Sequence, residues 1–374
     1  MKRWCLVCAL AFCAAAAAIA AEKPIGQTVY LEGDVTVIRD GAPLDVDDVQ
    51  IGMGIENFDL MKTGAKGLAE VSVASGKSPA MTIKVSPNTQ FSFELSKMGA
   101  KQQTSVNLLS GTLSMKVSKL TASQDLKVRT ESAAMGVRGT TFTVTAPSSG
   151  DILVTCDEGE VVCTDADGGE ISAKPGTAVQ KMVGARLCAI PVAVSSLETF
   201  RANWMAERIE ALRANALKAI SDYSKQYISL SAELSTNYAA LEKSKAVLAK
   251  WSREDAQGKV GTRMELMREK KEVIGSLLKL RGTLFRFERI YYRLLELKEY
   301  FDQGYGRGRL ADGTTSEDFF KRMERERGAL EVKMAHIRHV AKQYALRNDG
   351  EVPTGAFDEQ MEESTDDFFG DSGL

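Results

Sequence analysis

The hydrophobic period changes once along this 374-residue chain, at Ser195, and that change constrains the fold more than any other feature. Before it, apolar residues alternate with polar ones in short runs, as in Val35-Thr36-Val37-Ile38, Ala69-Glu70-Val71-Ser72-Val73, Phe91-Ser92-Phe93, Leu113-Ser114-Met115-Lys116-Val117 and Thr141-Phe142-Thr143-Val144. A period of two gives a strand one buried and one exposed face. After it, apolar residues recur every three or four positions, the period of an amphipathic helix. One element cannot satisfy both periods. The chain is therefore read as an α+β multidomain protein, with an all-β domain over residues 22–194 and a helical region over 195–348. A leader (1–21) and an acidic tail (349–374) flank them.

In the first half, turn signals interrupt the alternation at roughly ten-residue intervals, the spacing of a sandwich, barrel or β-solenoid. They include Asp40-Gly41, Ser75-Gly76, Pro87-Asn88, Asp167-Gly168-Gly169 and Pro175-Gly176. Asp157-Glu158-Gly159-Glu160 reads as a further, hairpin turn. In the second half, Ser195 with Glu198 has the spacing of a capping box. The stripe Met205, Ile209, Leu212, Ala216, Ile220, Tyr223, Tyr227, Leu230, Leu234, Tyr238, Leu241 then predicts one buried helical face. A second helix is expected over about 263–301, and a third after Thr314 and Glu317, with Phe320, Met323, Leu330, Met334, Ile337, Ala341 and Tyr344 inward. A strict heptad from Ile209 soon places Gln226 and Glu233 in the seam, which favours a bundle or antiparallel helical hairpin over a parallel coiled coil. Such stripes must close on each other, on the β domain or on a partner chain, so self-association through the helices is one expectation.

The start, Met1-Lys2-Arg3 followed by an apolar run and Ala18-Ile19-Ala20, has the form of a cleavable signal peptide; retention as an anchor is the alternative. The expected location is the periplasm or cell envelope, with no transmembrane helix in the mature chain. Cys156, Cys163 and Cys188 remain after the leader. Cys156 and Cys163 flank the predicted turn, and two readings stand: a disulfide, or two buried free thiols. The tail from residue 349 carries nine carboxylates and neither lysine nor arginine. Like-charge repulsion leaves such a segment solvated, although Phe357, Met361 and Phe368 have the spacing of a short helix seated on a groove.

Residues 128–163 read VRTESAAMGVRGTTFTV and then DILVTCDEGEVVC. The core Val137-Arg138-Gly139-Thr140-Thr141-Phe142-Thr143-Val144, followed by a valine-rich pair of strands at Val154 and Val161-Val162, resembles the FecR domain family. Gly33-Asp34-Val35, Met61-Lys62-Thr63-Gly64, Val85-Ser86-Pro87-Asn88 and Leu108-Leu109-Ser110-Gly111-Thr112-Leu113 agree with it in order. The resemblance implies an all-β, β-helix-like or sandwich-like domain facing the periplasm. It also implies kinship with regulators of iron-siderophore signalling. The leader and the C-terminal helices depart from the regulators' plan of a cytoplasmic anti-sigma segment and a transmembrane helix. Within the motif, Arg138-Gly139-Thr140 is read as a corner between strands, or alternatively as a turn gripping a carboxylate or sugar.

A net charge of −2 argues against nucleic-acid binding. With no histidine before the helices, a Ser-His-Asp arrangement within the β domain is excluded. His336 and His339 share one helix side but have no third ligand nearby, and are read as ordinary exposed positions. No catalytic residue, metal site or cofactor is expected. Gly304 to Arg309 lacks the strand and the G-K-S/T end of a phosphate loop. The basic clusters at 268–271, 286–293 and 321–327 are read as a solvated face. The expected function is a non-enzymatic envelope binding or scaffold protein for an envelope protein or peptidoglycan. The alternative is a periplasmic sensor subunit in envelope or iron-uptake-type signalling, relaying ligand state to a separate membrane partner.

Overall fold

The computed structural model describes residues 24–74, 78–98, 101–165, 168–258 and 261–352. The leader, Phe357, Met361 and Phe368 lie outside them. The chain is α+β, strands first and helices after.

Seventeen strands are present among the described residues: β1 (Gly26–Glu32), β2 (Val35–Arg39), β3 (Ala42–Pro43), β4 (Gly54–Ile55), β5 (Leu60–Thr63), β6 (Leu68–Val73), β7 (Met81–Val85), β8 (Gln90–Met98), β9 (Lys101–Val117), β10 (Gln124–Arg129), β11 (Ala133–Val137), β12 (Thr141–Ala146), β13 (Ile152–Glu158), β14 (Val161–Asp165), β15 (Glu170–Ala173), β16 (Thr177–Lys181) and β17 (Leu187–Pro191). They form two layers. One has the order β4-β1-β6-β7-β9-β12-β13-β16-β17, the other β3-β2-β5-β8-β9-β10-β11-β14-β15. Every ladder is antiparallel except β9 with β10. Strand β9 belongs to both layers: its first part pairs with β8 and its last part with β7 and β12. It crosses at Gly111, where φ is +105°. Inward residues of the two layers, such as Val71, Ile83, Met115 and Phe142 against Val37, Phe93, Val128 and Cys163, make one dry core.

The turn at 157–160 differs from its sequence reading. Strand β13 pairs with β12 and β16, whereas β14 pairs with β11 and β15. The segment is an arch from one layer to the other, not a hairpin. Cys156 therefore stands opposite Phe142, and Cys163 opposite Met135. Both thiols are free and buried, and Cys188 is free and exposed. Burial pushes the Cys156 thiol up to about 11 and Cys163 up to about 12.

The helices are α1 (Leu197–Ala214), α2 (Ala216–Leu241), α3 (Lys245–Ala256), α4 (Arg263–Asp302) and α5 (Ser316–Leu346). The caps sit elsewhere than the sequence spacing suggests. Ser195 lies in a single 3-10 turn, and α1 begins behind Ser196 with no side-chain cap. Thr315, not Thr314, caps α5 by accepting from the Asp318 N–H. The complete capping box belongs to Thr262 and Glu265 at the start of α4. The expected stripes do face inward: Ile220, Tyr227, Leu234 and Leu241 on α2, and Met323, Leu330, Ile337 and Tyr344 on α5, are buried. Tyr227 meets Phe287, Glu233 bonds Arg286 and the Trp251 indole donates to Glu269, so contacts step in opposite directions along α2–α3 and α4. Phe58, Leu60 and Leu109 of the second layer join the same apolar cluster. Helices α4 and α5, with α2 and α3 packed on them, thus cover the outer face of that sheet, whereas α1 sets Leu197 and Trp204 against Leu153 and Ala178 of the other layer.

Charged pairs tie the two parts along this seam. Lys342 of α5 donates to Asp40 Oδ1 (2.9 Å) and Glu56 Oε2 (2.7 Å), and beside them, within the β-rich part, Arg39 binds Asp59 through Nε (3.0 Å) and Nη2 (2.6 Å). His339 Nδ1 lies 3.5 Å from Asp40. His339, then Lys342, hold the Asp40 carboxyl well below the usual range. A carboxylate held low contributes stability above its ordinary value, and that contribution is lost as pH falls through it. The melting temperature should therefore drop as pH falls below about 4, and Asp40→Asn should flatten that dependence. Equal slopes for wild type and variant between pH 3 and 6 would contradict it.

Candidate functional site

A cavity with a volume of about 650 Å³ lies in this seam. Strands β8, β9 and β10 supply its floor, and α2, α4 and α5 its walls. Alternation along β8 turns Phe91 and Phe93 into the sandwich, which leaves Ser92 and Glu94 facing the cavity. Phe58, just before β5, enters from the side. Its backbone is left-handed (φ +69°), a conformation bulky residues rarely adopt. Asn57 fixes it, bonding both the N–H (2.8 Å) and the carbonyl (3.1 Å) of Leu95.

The lining is apolar with charge set into it. Leu109, Leu284, Phe285 and Ile337 form the apolar part. Five cations, Arg129, Lys279, Arg281, Arg286 and Arg338, face three carboxylates, Glu94, Glu233 and Glu288. Each carboxylate is paired to an arginine on a different element. Arg281 Nη2 donates to both oxygens of Glu94 (2.9 and 3.1 Å), Arg286 to Glu233 (2.6 Å), and Arg338 to Glu288. Burial pushes the Glu288 carboxyl above its ordinary value, against the opposing pull of Arg338. Arg281 Nε and Nη1 are buried and make no hydrogen bond. Lys279, Gly282 and Arg286 are exposed and form the rim. A convergent, partly apolar cavity with arginine donors suits a ligand with an anionic group and an apolar body.

The residues singled out in the sequence lie elsewhere. Arg138, Gly139 and Thr140 turn the chain from β11 in one layer to β12 in the other, away from the cavity lining. Gly139 has φ +69°, and a Cβ there would sit 3.1 Å from Lys119 Cα. Arg138 is exposed, and Thr140 is buried with its hydroxyl unbonded. His336 and His339 are half-buried rather than exposed; His336 Nδ1 lies 2.7 Å from the Tyr238 hydroxyl. Among the described residues no group of three or more His, Cys, Asp or Glu is placed to hold a metal.

Within the basic cluster at 286–293, Arg286 is exposed but Arg289 and Arg293 are not part of a solvated face. Arg289 and Arg293 are 4% and 5% exposed, and Arg293 pairs with Glu131 across the seam. Burial lowers the Arg289 guanidinium to about 10. The arginine spacing of three and four was the available signal: it sets Arg286, Arg289 and Arg293 along one side of α4. The acidic partners, far away in sequence, gave none.

With the geometry in place, comparison with known proteins assigns the β-rich part to a class. Residues 59–162 match the family model described as FecR protein, from the start of β5 into β14. No curated protein matches the chain. Solved structures of a candidate anti-sigma factor from Parabacteroides distasonis ATCC 8503 are similar. One shares 12% identity over 38% of this chain and 63% of its own, with a TM-score of 0.32. Another shares 15% over 35% and 63%, with a TM-score of 0.28. The chain thus spans under two thirds of those structures. Over residues 59–162 the β-rich part is thus similar to the FecR family. Among the described residues no helix is long and apolar enough to cross a membrane.

Proposed function

We propose that this is an exported, non-enzymatic binding or scaffold protein of the cell envelope, which takes a ligand in the cavity between its FecR-type sheet and its helices. The supporting observation is that the cavity is walled by both parts, so a ligand there touches the sheet and the helices at once. Its chemistry favours an anionic group carried on an apolar body, as an envelope protein segment or a peptidoglycan peptide can present. A second reading, a sensor subunit that relays ligand state to a separate membrane partner, draws on the Glu94–Arg281 pair. That pair crosses the seam at the cavity, so a ligand competing for Arg281 would alter how the helices sit on the sheet.

The test uses the purified mature chain, sedimented with peptidoglycan sacculi and passed over immobilised envelope proteins. Saturable capture weakened by Arg281→Lys is the expected outcome, because lysine lacks the fork that meets a carboxylate twice. Capture of neither, by a monomeric protein, would sink the proposal.

A further inference from the structure

The chain leaves the described residues beside the cavity. After α5, the Gly350 carbonyl accepts from the Lys97 N–H (3.1 Å), and Val352 is buried in the helical core cluster. Lys97 is on β8, three residues beyond Glu94 of the cavity floor, or roughly 10 Å at strand spacing. Residues 353–374 number 22 and would reach roughly 70 Å if extended. They hold seven carboxylates and no lysine or arginine, with Phe357, Met361, Phe368 and Phe369 between them. The cavity is the complement: two buried unbonded N–H groups on Arg281, the exposed rim cations Lys279 and Arg286, and apolar wall from Leu109, Leu284, Phe285 and Ile337.

We propose that residues 353–374 of this same chain are the resident occupant of the seam cavity, and that an external ligand must displace them. The acidic side chains meet Arg281 and the rim cations Lys279 and Arg286, while the aromatic side chains enter the apolar part. The tail is then an internal competitor that sets the threshold for ligand capture. This inference rests on the cavity being a binding site, as proposed above.

A labelled peptide of residues 353–374 is titrated into the chain truncated after Val352 and into the full chain. The tethered tail acts at an effective concentration on the order of millimolar, so the peptide should bind the truncated chain at least about tenfold more tightly than the full one. Binding should weaken as salt rises, and a peptide with its seven carboxylates replaced by amides should bind at least about tenfold more weakly. Gly282→Trp in the truncated chain should abolish binding; a Cβ at Gly282 meets nothing within 4 Å, and an unchanged melting temperature checks that the fold is kept. No binding to the truncated chain, equal binding to both chains, or indifference to Gly282→Trp would overturn the proposal. So would tail-dependent dimerisation, which would place the tail on a second copy. If the peptide fails but the truncated chain still captures an envelope ligand, only the tail assignment falls; if both fail, the cavity reading falls with it.

Discussion

Gly111→Ala should destabilise the β-rich part by about 3–5 kcal/mol, combining the cost of a left-handed non-glycine residue with that of overpacking. Gly111 is where β9 passes between layers. A Cβ there would lie 2.2 Å from Thr89 Oγ1 and 2.5 Å from Thr89 Cα. Thr89 cannot retreat cheaply. It is fully buried, its N–H donates to Thr63 Oγ1 (2.9 Å), and its hydroxyl accepts from the Thr112 N–H (3.0 Å). Denaturant unfolding measures the loss. Gly168→Ala is the control: φ is +75° but a Cβ meets nothing within 4 Å, so about 1 kcal/mol is expected from backbone strain alone. Similar losses for both variants would mean that β9 does not bend against Thr89 as described.

Arg338→Ala should cost about 3–5 kcal/mol at neutral pH, the penalty for leaving a buried carboxylate without its partner. Glu288 is 1% exposed, and Arg338 supplies two of its hydrogen bonds. The pH dependence has a defined sign. The folded-state pKa of Glu288 is already raised by burial, and removing Arg338 raises it further. A raised carboxyl is no burden below its unfolded value of about 4.3 and costs stability as pH rises through its folded value. The difference between variant and wild type should therefore shrink as pH falls toward 4. Adding Glu288→Leu to Arg338→Met should recover much of the loss, because an apolar pair leaves no buried charge. A pH-independent deficit would show that Arg338 contributes packing rather than charge.

The division into β and α parts was legible because it rests on local periodicity. Ile220, Tyr227, Leu234 and Ile337 each face inward where a 3.6-residue repeat puts them. The distribution of strands between layers was not legible. Asp157 to Glu160 has the composition of a hairpin turn, and only the pairing of β13 and β14 with different neighbours shows it to be an arch. The cap of α5 drifted by one residue, since Thr314 and Thr315 offer equivalent hydroxyls, whereas α1 has no side-chain cap. The cavity was invisible for a different reason. Its defining pair, Glu94 and Arg281, is separated by 187 residues, and Asp40 and Lys342 by 302. No pattern within a window connects such residues, and without their partners the arginines of α4 resemble a solvated face. The FecR-type motif was recognisable from its ordered residues, yet Arg138, Gly139 and Thr140 shape a corner, while the cavity is built from β8, β9 and the helices.

Whether ligands bind in the seam cavity is decided at Gly282. It borders the cavity on an exposed part of α4. Gly282→Ala should raise stability by up to about 1 kcal/mol, because glycine is a poor helix former. Gly282→Trp should also keep the fold while filling the mouth. Capture of envelope ligand by the two variants should then separate: retained by Gly282→Ala and lost by Gly282→Trp at unchanged or higher melting temperature. Full capture by a folded Gly282→Trp protein would contradict the claim and move the binding site off the seam.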